Sequence, residues 1–382
     1  MAKSFAVWVE GKPDNNQASK ICIDELHINF WCTRKPLINC IDLGVKFTFN
    51  NSDAQKIQED DEKFLNIFIP FPITKDRIHD LSGKMDANKD LVSAIFNDYV
   101  SVTRNVKTKH VVYNLASNPN SFLALNTSLD FKDVDGRYDN RVRVVVNDEY
   151  TKISFKLSKC VIDSEDLSFI NNKEDLKYYI RLRLEDLKPN EINALIHKTE
   201  NSDKFLKPFK DELVVIDFRI NELRVLPMDV RVSLANACAC PHKYHLFVIR
   251  DETDEYQLSH SGQSFKKCRI LEGETWQKYF EEDIFKKEQS SMIYHWEKDC
   301  RPKKDASCNI DSEEMSSRVE HNKKIKSINM HKMTDFIAVA KFKQTESPIL
   351  TIIIYVLVIV FLSIFSNYIY DLIKAWFDSF KS

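Results

Sequence analysis

The chain has 382 residues, with 55 Lys and Arg against 57 Asp and Glu, a formal net charge of −2. That balance gives no global attraction for nucleic acid or acidic substrates, and the length allows one large or two modest cores. Its 6 glycines lie far apart, so the G-x-G-x-x-G and G-x-x-x-x-G-K phosphate cradles are absent, which argues against P-loop ATPases, Rossmann enzymes and protein kinases.

Strand patterning dominates the chain as far as Ile270. Phe5–Val9, after Lys3, is too short for the core of a secretory signal and reads as a strand. Leu26/Ile28/Phe30 and Val45/Phe47/Phe49 alternate with polar neighbours, and Asp86–Val102 then carries Leu91, Val92, Ile95, Phe96 and Tyr99 at helical spacing. Asn147–Glu149 forms a turn between Val142/Val144/Val146 and Ile153/Phe155/Leu157. Ile180/Leu182/Leu184 face one way and Arg181/Arg183 the other, as in strands with one wet face. Beyond the charge-dense Glu200–Lys210, Val214/Ile216/Phe218/Ile220 lead to a bend at Asn221-Glu222. Glu274–Lys287 reads as a helix, and Asn329–Phe342 as a juxtamembrane helix. The expected fold class is α+β: a β-rich module followed by a single C-terminal transmembrane helix. Residues 1–200 form a β-rich domain with a helix near 86–102, and 205–296 a second α+β domain. A charged basic linker follows over 297–346, then a membrane helix over 347–367 and an amphipathic interfacial tail over 368–382.

The membrane segment is the most specific feature. Between Ile349 and Phe365 only Thr351 and Ser363 are polar, and about 20 apolar helical residues cross a hydrocarbon core of roughly 30 Å. At about 100° per residue, Thr351, Tyr355, Ser363, Ser366 and Tyr370 share one side, a seam suited to a second membrane helix. In the tail, Ile369, Leu372, Ile373, Trp376, Phe377 and Phe380 form an apolar face opposite Asp371, Lys374, Asp378 and Lys381. Bases predominate over Arg318–Lys343, whereas charges after the span balance. The large domain is therefore expected in the cytoplasm, on a single pass through a bacterial inner membrane.

Two side-chain sets carry candidate chemistry. The 9 cysteines are odd in number and irregular in spacing, and read as thiols. Among them Cys238 and Cys240, with His242, His245 and Cys268, supply the thiolates and imidazoles that zinc takes as ligands. Arg141/Arg143 and Arg181/Arg183 would place guanidinium forks on outward strand faces, suited to a phosphate-bearing ligand. The expected function is a C-terminally anchored sensor or effector that acts at membrane lipids as a homo-oligomer. Its layout resembles that of bacterial antiviral systems, where a soluble sensor is joined to a membrane effector and works with a protein partner of the same system. The alternatives are a membrane-tethered hydrolase or nuclease, whose active site forms no compact motif, and a docking scaffold.

Overall fold

The computed structural model of the chain describes residues 3–10, 21–34, 37–49, 63–96, 98–104, 110–126, 129–131, 140–160, 176–200, 210–257, 265–271, 276–277, 279–280, 291–301, 335–346 and 349–379. The strands begin with β1 (Ala6–Glu10), β2 (Cys22–Arg34), β3 (Leu37–Thr48), β4 (Phe64–Ile69), β5 (Ile78–Asp80) and β6 (Val100–Arg104). They continue with β7 (His110–Leu115), β8 (Asn118–Asn126), β9 (Val142–Val146), β10 (Thr151–Lys156), β11 (Leu176–Leu184) and β12 (Ile196–Glu200). The last are β13 (Lys210–Ile220), β14 (Lys243–Asp251), β15 (Glu255–Gln257), β16 (Lys267–Ile270), β17 (Ser291–Asp299) and β18 (Phe336–Glu346).

They build three sheets. The largest runs β16-β17-β14-β2-β3-β11-β8-β7-β6, with β5 added on β11, and the two smaller ones run β1-β4-β10-β9 and β12-β13-β18-β15. Alternation along β2 explains the layering. Leu26, Ile28 and Phe30 point into a main core shared with Val7 and Val9 of β1, Ile67 of β4, Phe218 of β13 and Phe342 of β18. The opposite side of the large sheet is also covered. Trp31 and Tyr179 pack there against Met85, Leu91 and Val92 of two short helices (Ser82–Ala87 and Lys89–Phe96) and against Trp276, Tyr279 and Phe280. A third cluster sets Leu226, Val230 and Leu234 against Ala6, Trp8 and Phe68, on the outer side of the β1 sheet. Each fully buried large side chain stabilises the fold by about 1.5–3 kcal/mol relative to exposure.

Several sequence expectations change. Strands expected in separate domains share one sheet: β14, from 205–296, pairs in parallel with β2 from 1–200, and β17 then extends the same sheet. The helix expected over 86–102 is shorter. Asn88 ends the first short helix, and its Oδ1 accepts from the Asp90 and Leu91 amides to start the next; β6 then begins at Val100. Of the Glu274–Lys287 helix, the described residues are Trp276, Gln277, Tyr279 and Phe280. The 297–346 linker is strand at both ends, since β17 runs to Asp299 and β18 replaces the juxtamembrane helix. Between them, residues 302–334 of that linker lie outside the described residues. The bend at Asn221 is present, with φ of 55°.

One helix, Ile349–Ser379, follows β18. Its window Val356–Trp376 has a mean hydropathy of 2.0, with none of it buried, and it is long and apolar enough to cross a membrane. The helix passes without a break from the expected span into the expected tail, so 368–379 continues it rather than forming a separate element. Phe380 lies outside the described residues.

Candidate functional site

Register between strands assembles the site. On β2, Glu25 and His27 are two residues apart and share one side of the large sheet. Parallel pairing places His245 of β14 opposite His27, and antiparallel pairing places Glu297 of β17 opposite His245. His295 lies two residues before Glu297 on the same side. His27 Nε2 is 3.0 Å from Glu25 Oε2, and His245 Nδ1 is 3.0 Å from His295 Nε2 and 4.0 Å from Glu297 Oε2. The carboxylates are held in turn by cations. Lys46 lies 3.5 Å from Glu25, and Lys243 and Lys266 lie 3.3 Å and 3.0 Å from Glu297.

Burial decides the protonation of these rings. It pushes His245 down to about 3, assisted by the positive neighbours, and His295 down to about 4. It lowers His27 too, against the pull of Glu25. Burial would raise Glu25, but the hydrogen bond and charge of His27, together with Lys46, hold its carboxyl well below the usual range. The rings are therefore neutral near pH 7, and the glutamate is ionised.

This cluster forms part of the wall of a cavity of about 470 Å³, which Phe96 and Phe247 also line. Lys46, Lys177, Lys243, Lys267 and Arg269 line it as well, against the acids Glu25 and Asp98. An adjoining space of about 20 Å³ shares His27, Phe247 and Arg269 and reaches Asn29, Arg181 and Trp276.

A buried polar network lies behind it. Asp42, with no exposed surface, accepts from Arg183 Nε at 2.7 Å, Trp31 Nε1 at 2.8 Å and Tyr279 Oη at 2.8 Å. Arg181 donates to Tyr279 Oη at 2.7 Å and Tyr179 Oη at 2.9 Å, and Tyr179 Oη is 3.3 Å from His27 Nδ1. The Arg183 guanidinium also stacks over Phe280, 4.2 Å from the ring centroid. Gly44 makes room for this arrangement, since a Cβ there would lie 2.0 Å from Tyr179 Oη. Histidine cluster and arginine network are thus one connected assembly.

The sequence-derived sites divide. Arg181 and Arg183 are buried, with 0% and 1% exposure, so their side of β11 is not the outward face expected. The reason is Asp42 and the aromatic cover supplied by Tyr279 and Phe280. Arg141 and Arg143 belong to β9 and the residue before it, in a different sheet. They line a separate cavity of about 390 Å³ with Lys75 and Lys156. The two arginine pairs therefore do not form a common patch.

The expected zinc set is not assembled among the described residues. Cys240 packs beside the Trp8 and Phe68 cluster, Cys238 against the main core, and Cys268 is exposed on β16. Burial pushes the Cys240 thiol up to about 12, away from the thiolate that a metal needs. Of that set only His245 joins a potential ligand group. Glu25, His27 and His245 form one, and His245, His295 and Glu297 another, each with ligand atoms within 4.8 Å of one another. Nitrogen and carboxylate donors of this kind suit a zinc-like cation.

In the C-terminal helix, Thr351, Tyr355, Ser363, Ser366 and Tyr370 all fall within one continuous helical segment, as do Ile369, Leu372, Ile373, Trp376 and Phe377. Ser363 and Ser366 are exposed along it. Sequence reasoning missed Glu25, His27 and His295. The available signal was an acid and a histidine two apart, in Glu25-Leu26-His27 and again in His295-Trp296-Glu297. No family model, no curated protein and no solved structure matches this chain.

Proposed function

We propose that the chain is a single-pass, membrane-anchored sensor or effector. Its strand-rich module would lie in the cytoplasm, and its C-terminal helix would reside in the bilayer. The observation that carries this reading is the uncovered apolar surface of Val356–Trp376, where Phe361 is 67% exposed and none of the window is buried among the described residues. Lipid is the environment that removes such a surface from water. A span of 21 residues rises about 31 Å, which matches a hydrocarbon core.

Self-association supplies the effector step in this proposal. A lone helix encloses no pore, so any permeabilising action needs several copies. Ser363 and Ser366 offer small, hydroxyl-bearing contact points between helices. Anti-phage defence at a bacterial inner membrane is the setting that this layout fits. Fractionation of detergent-free lysates tests the anchor: the full-length chain is expected in the membrane pellet and resists carbonate extraction. Recovery in the supernatant overturns the reading. Ser363→Leu with Ser366→Leu is expected to reduce crosslinked oligomers while leaving the chain in the membrane. Unchanged crosslinking removes the seam.

A further inference from the structure

We infer that the 470 Å³ cavity on the large sheet binds a small phosphorylated ligand of mononucleotide size, its phosphate directed toward Lys267, Arg269 and the buried Arg181. This inference rests on the cavity and does not depend on the membrane reading.

Charge is the first observation. Five basic side chains line the cavity against two acids, and Glu25 is already engaged by Lys46 and His27. Lys177, Lys267 and Arg269 have no ion pair among the described residues. Such an excess around a concave surface attracts an anion and repels a bare divalent cation. The neutral histidines add hydrogen-bonding capacity without adding charge.

The second observation is Arg181. The side chain has 0% exposure, yet its Nη2 has no hydrogen-bond partner among the described residues. The nearest carboxylate oxygen, Asp42 Oδ2, is 3.7 Å away, an ion-pair distance that is too long for a hydrogen bond. A buried charged donor left unused is costly, and native structures usually resolve it with a ligand or a water. Arg181 borders the 20 Å³ space, which holds one water or one ligand oxygen. Guanidinium groups suit phosphoryl oxygens in particular.

Size and apolar surface complete the ligand. A cavity of this volume falls within the usual small-molecule range, and Phe96 and Phe247 give it ring surface for a base. The metal-ligand geometry around His245 is the rival use of the same wall, and the test separates the two.

Radiolabelled AMP and unlabelled inorganic pyrophosphate are the probes, in equilibrium dialysis with the full-length chain in detergent. Saturable binding of AMP, competed by pyrophosphate and weakened as salt rises, is the expected result. Lys267→Glu and Arg269→Glu alter exposed residues and should each weaken AMP at least about tenfold. Lys3→Glu, at an exposed position outside the cavity, should leave it unchanged. Absence of saturable binding below about 1 mM, or indifference to both charge reversals, overturns the inference. So does zinc retention that His245→Ala abolishes in a chain that binds no AMP, since the wall is then a metal site. Binding to phosphatidylglycerol vesicles that Arg269→Glu weakens, by a chain that binds no AMP, would assign the cavity to a lipid headgroup and overturn it equally.

Discussion

Replacing Asp42 by Asn removes one charge from a place where two guanidiniums depend on it. The carboxylate has no exposed surface, accepts from Arg183, Trp31 and Tyr279, and stands 3.7 Å from Arg181. With the carboxylate, the local charge of Asp42, Arg181 and Arg183 is about +1; with the amide it is about +2, in a site closed to water. Removing one partner of a buried pair costs about 3–5 kcal/mol, and two stranded cations point to the upper half of that range. Unfolding entropy grows with length, so in a module of about 300 residues each kcal/mol shifts the melting temperature by about 1–2 °C, and a fall of about 7 °C is expected. The assay is intrinsic-fluorescence melting of the full-length chain in detergent. Asp42→Asn combined with Arg183→Leu returns the local charge to +1 and should recover at least half the loss. A single variant within about 1 kcal/mol of wild type, or a double variant no better than the single, would refute the reasoning. The pH dependence has a defined sign. Burial pushes the Asp42 carboxyl up, but Arg183, with Arg181 and Tyr279, more than reverses this and leaves it lowered. Its stabilisation is therefore complete above the unfolded carboxylate value and is lost as pH falls through the lowered folded one.

Other perturbations follow from the same geometry. Gly44→Ala drives a Cβ to 2.0 Å from Tyr179 Oη and should cost about 1–3 kcal/mol in melting experiments. Gly83→Ala meets nothing within 4 Å in its short helix and should be neutral or stabilising by up to about 1 kcal/mol. Asn221, at φ 55°, accepts from the Val7 amide at 2.9 Å and donates to Tyr244 Oη at 3.3 Å. Asn221→Gly should therefore lose stability through the hydrogen bonds alone. Asn221→Ala should lose about 1–2 kcal/mol more from backbone strain, and equal melting points for the two would contradict this. Phe365→Arg places a charge near the middle of the span, at about 3 kcal/mol against insertion, and should raise the soluble fraction in a membrane fractionation.

The legible parts of the chain were those whose causes are local. Alternation marked β2, β11 and β13, and the uncharged run at Ile349–Phe365 marked the terminal helix. The side of a strand that meets water is not local. Arg181 and Arg183 read as solvated because the carboxylate that accepts Arg183, Asp42, precedes it by 141 residues, and the Tyr279 that covers both follows later in the chain. The site was hidden for the same reason: His27 and His245 meet through a parallel pairing between β2 and β14 that no sequence spacing encodes. Expectation failed differently at β18. Phe336, Ala338, Ala340 and Phe342 alternate into the core, but the apolar set Met330, Met333, Phe336, Ile337 and Val339 reads as a juxtamembrane helix. Partners across the sheet overrode that preference.

The ladder that ties β18 to its neighbour has a mechanical consequence. Every residue from Phe336 to Glu346 has a registered partner on β13, from Ile220 back to Lys210, and the helix begins three residues later at Ile349. Tension transmitted along that strand loads the whole row of rungs in shear, so they share the force instead of parting one by one. Glu255–Gln257 grips the strand from its other side. A tug on the terminal rod is thus felt in the centre of a sheet, as a rope spliced into a hull rather than tied to its rail.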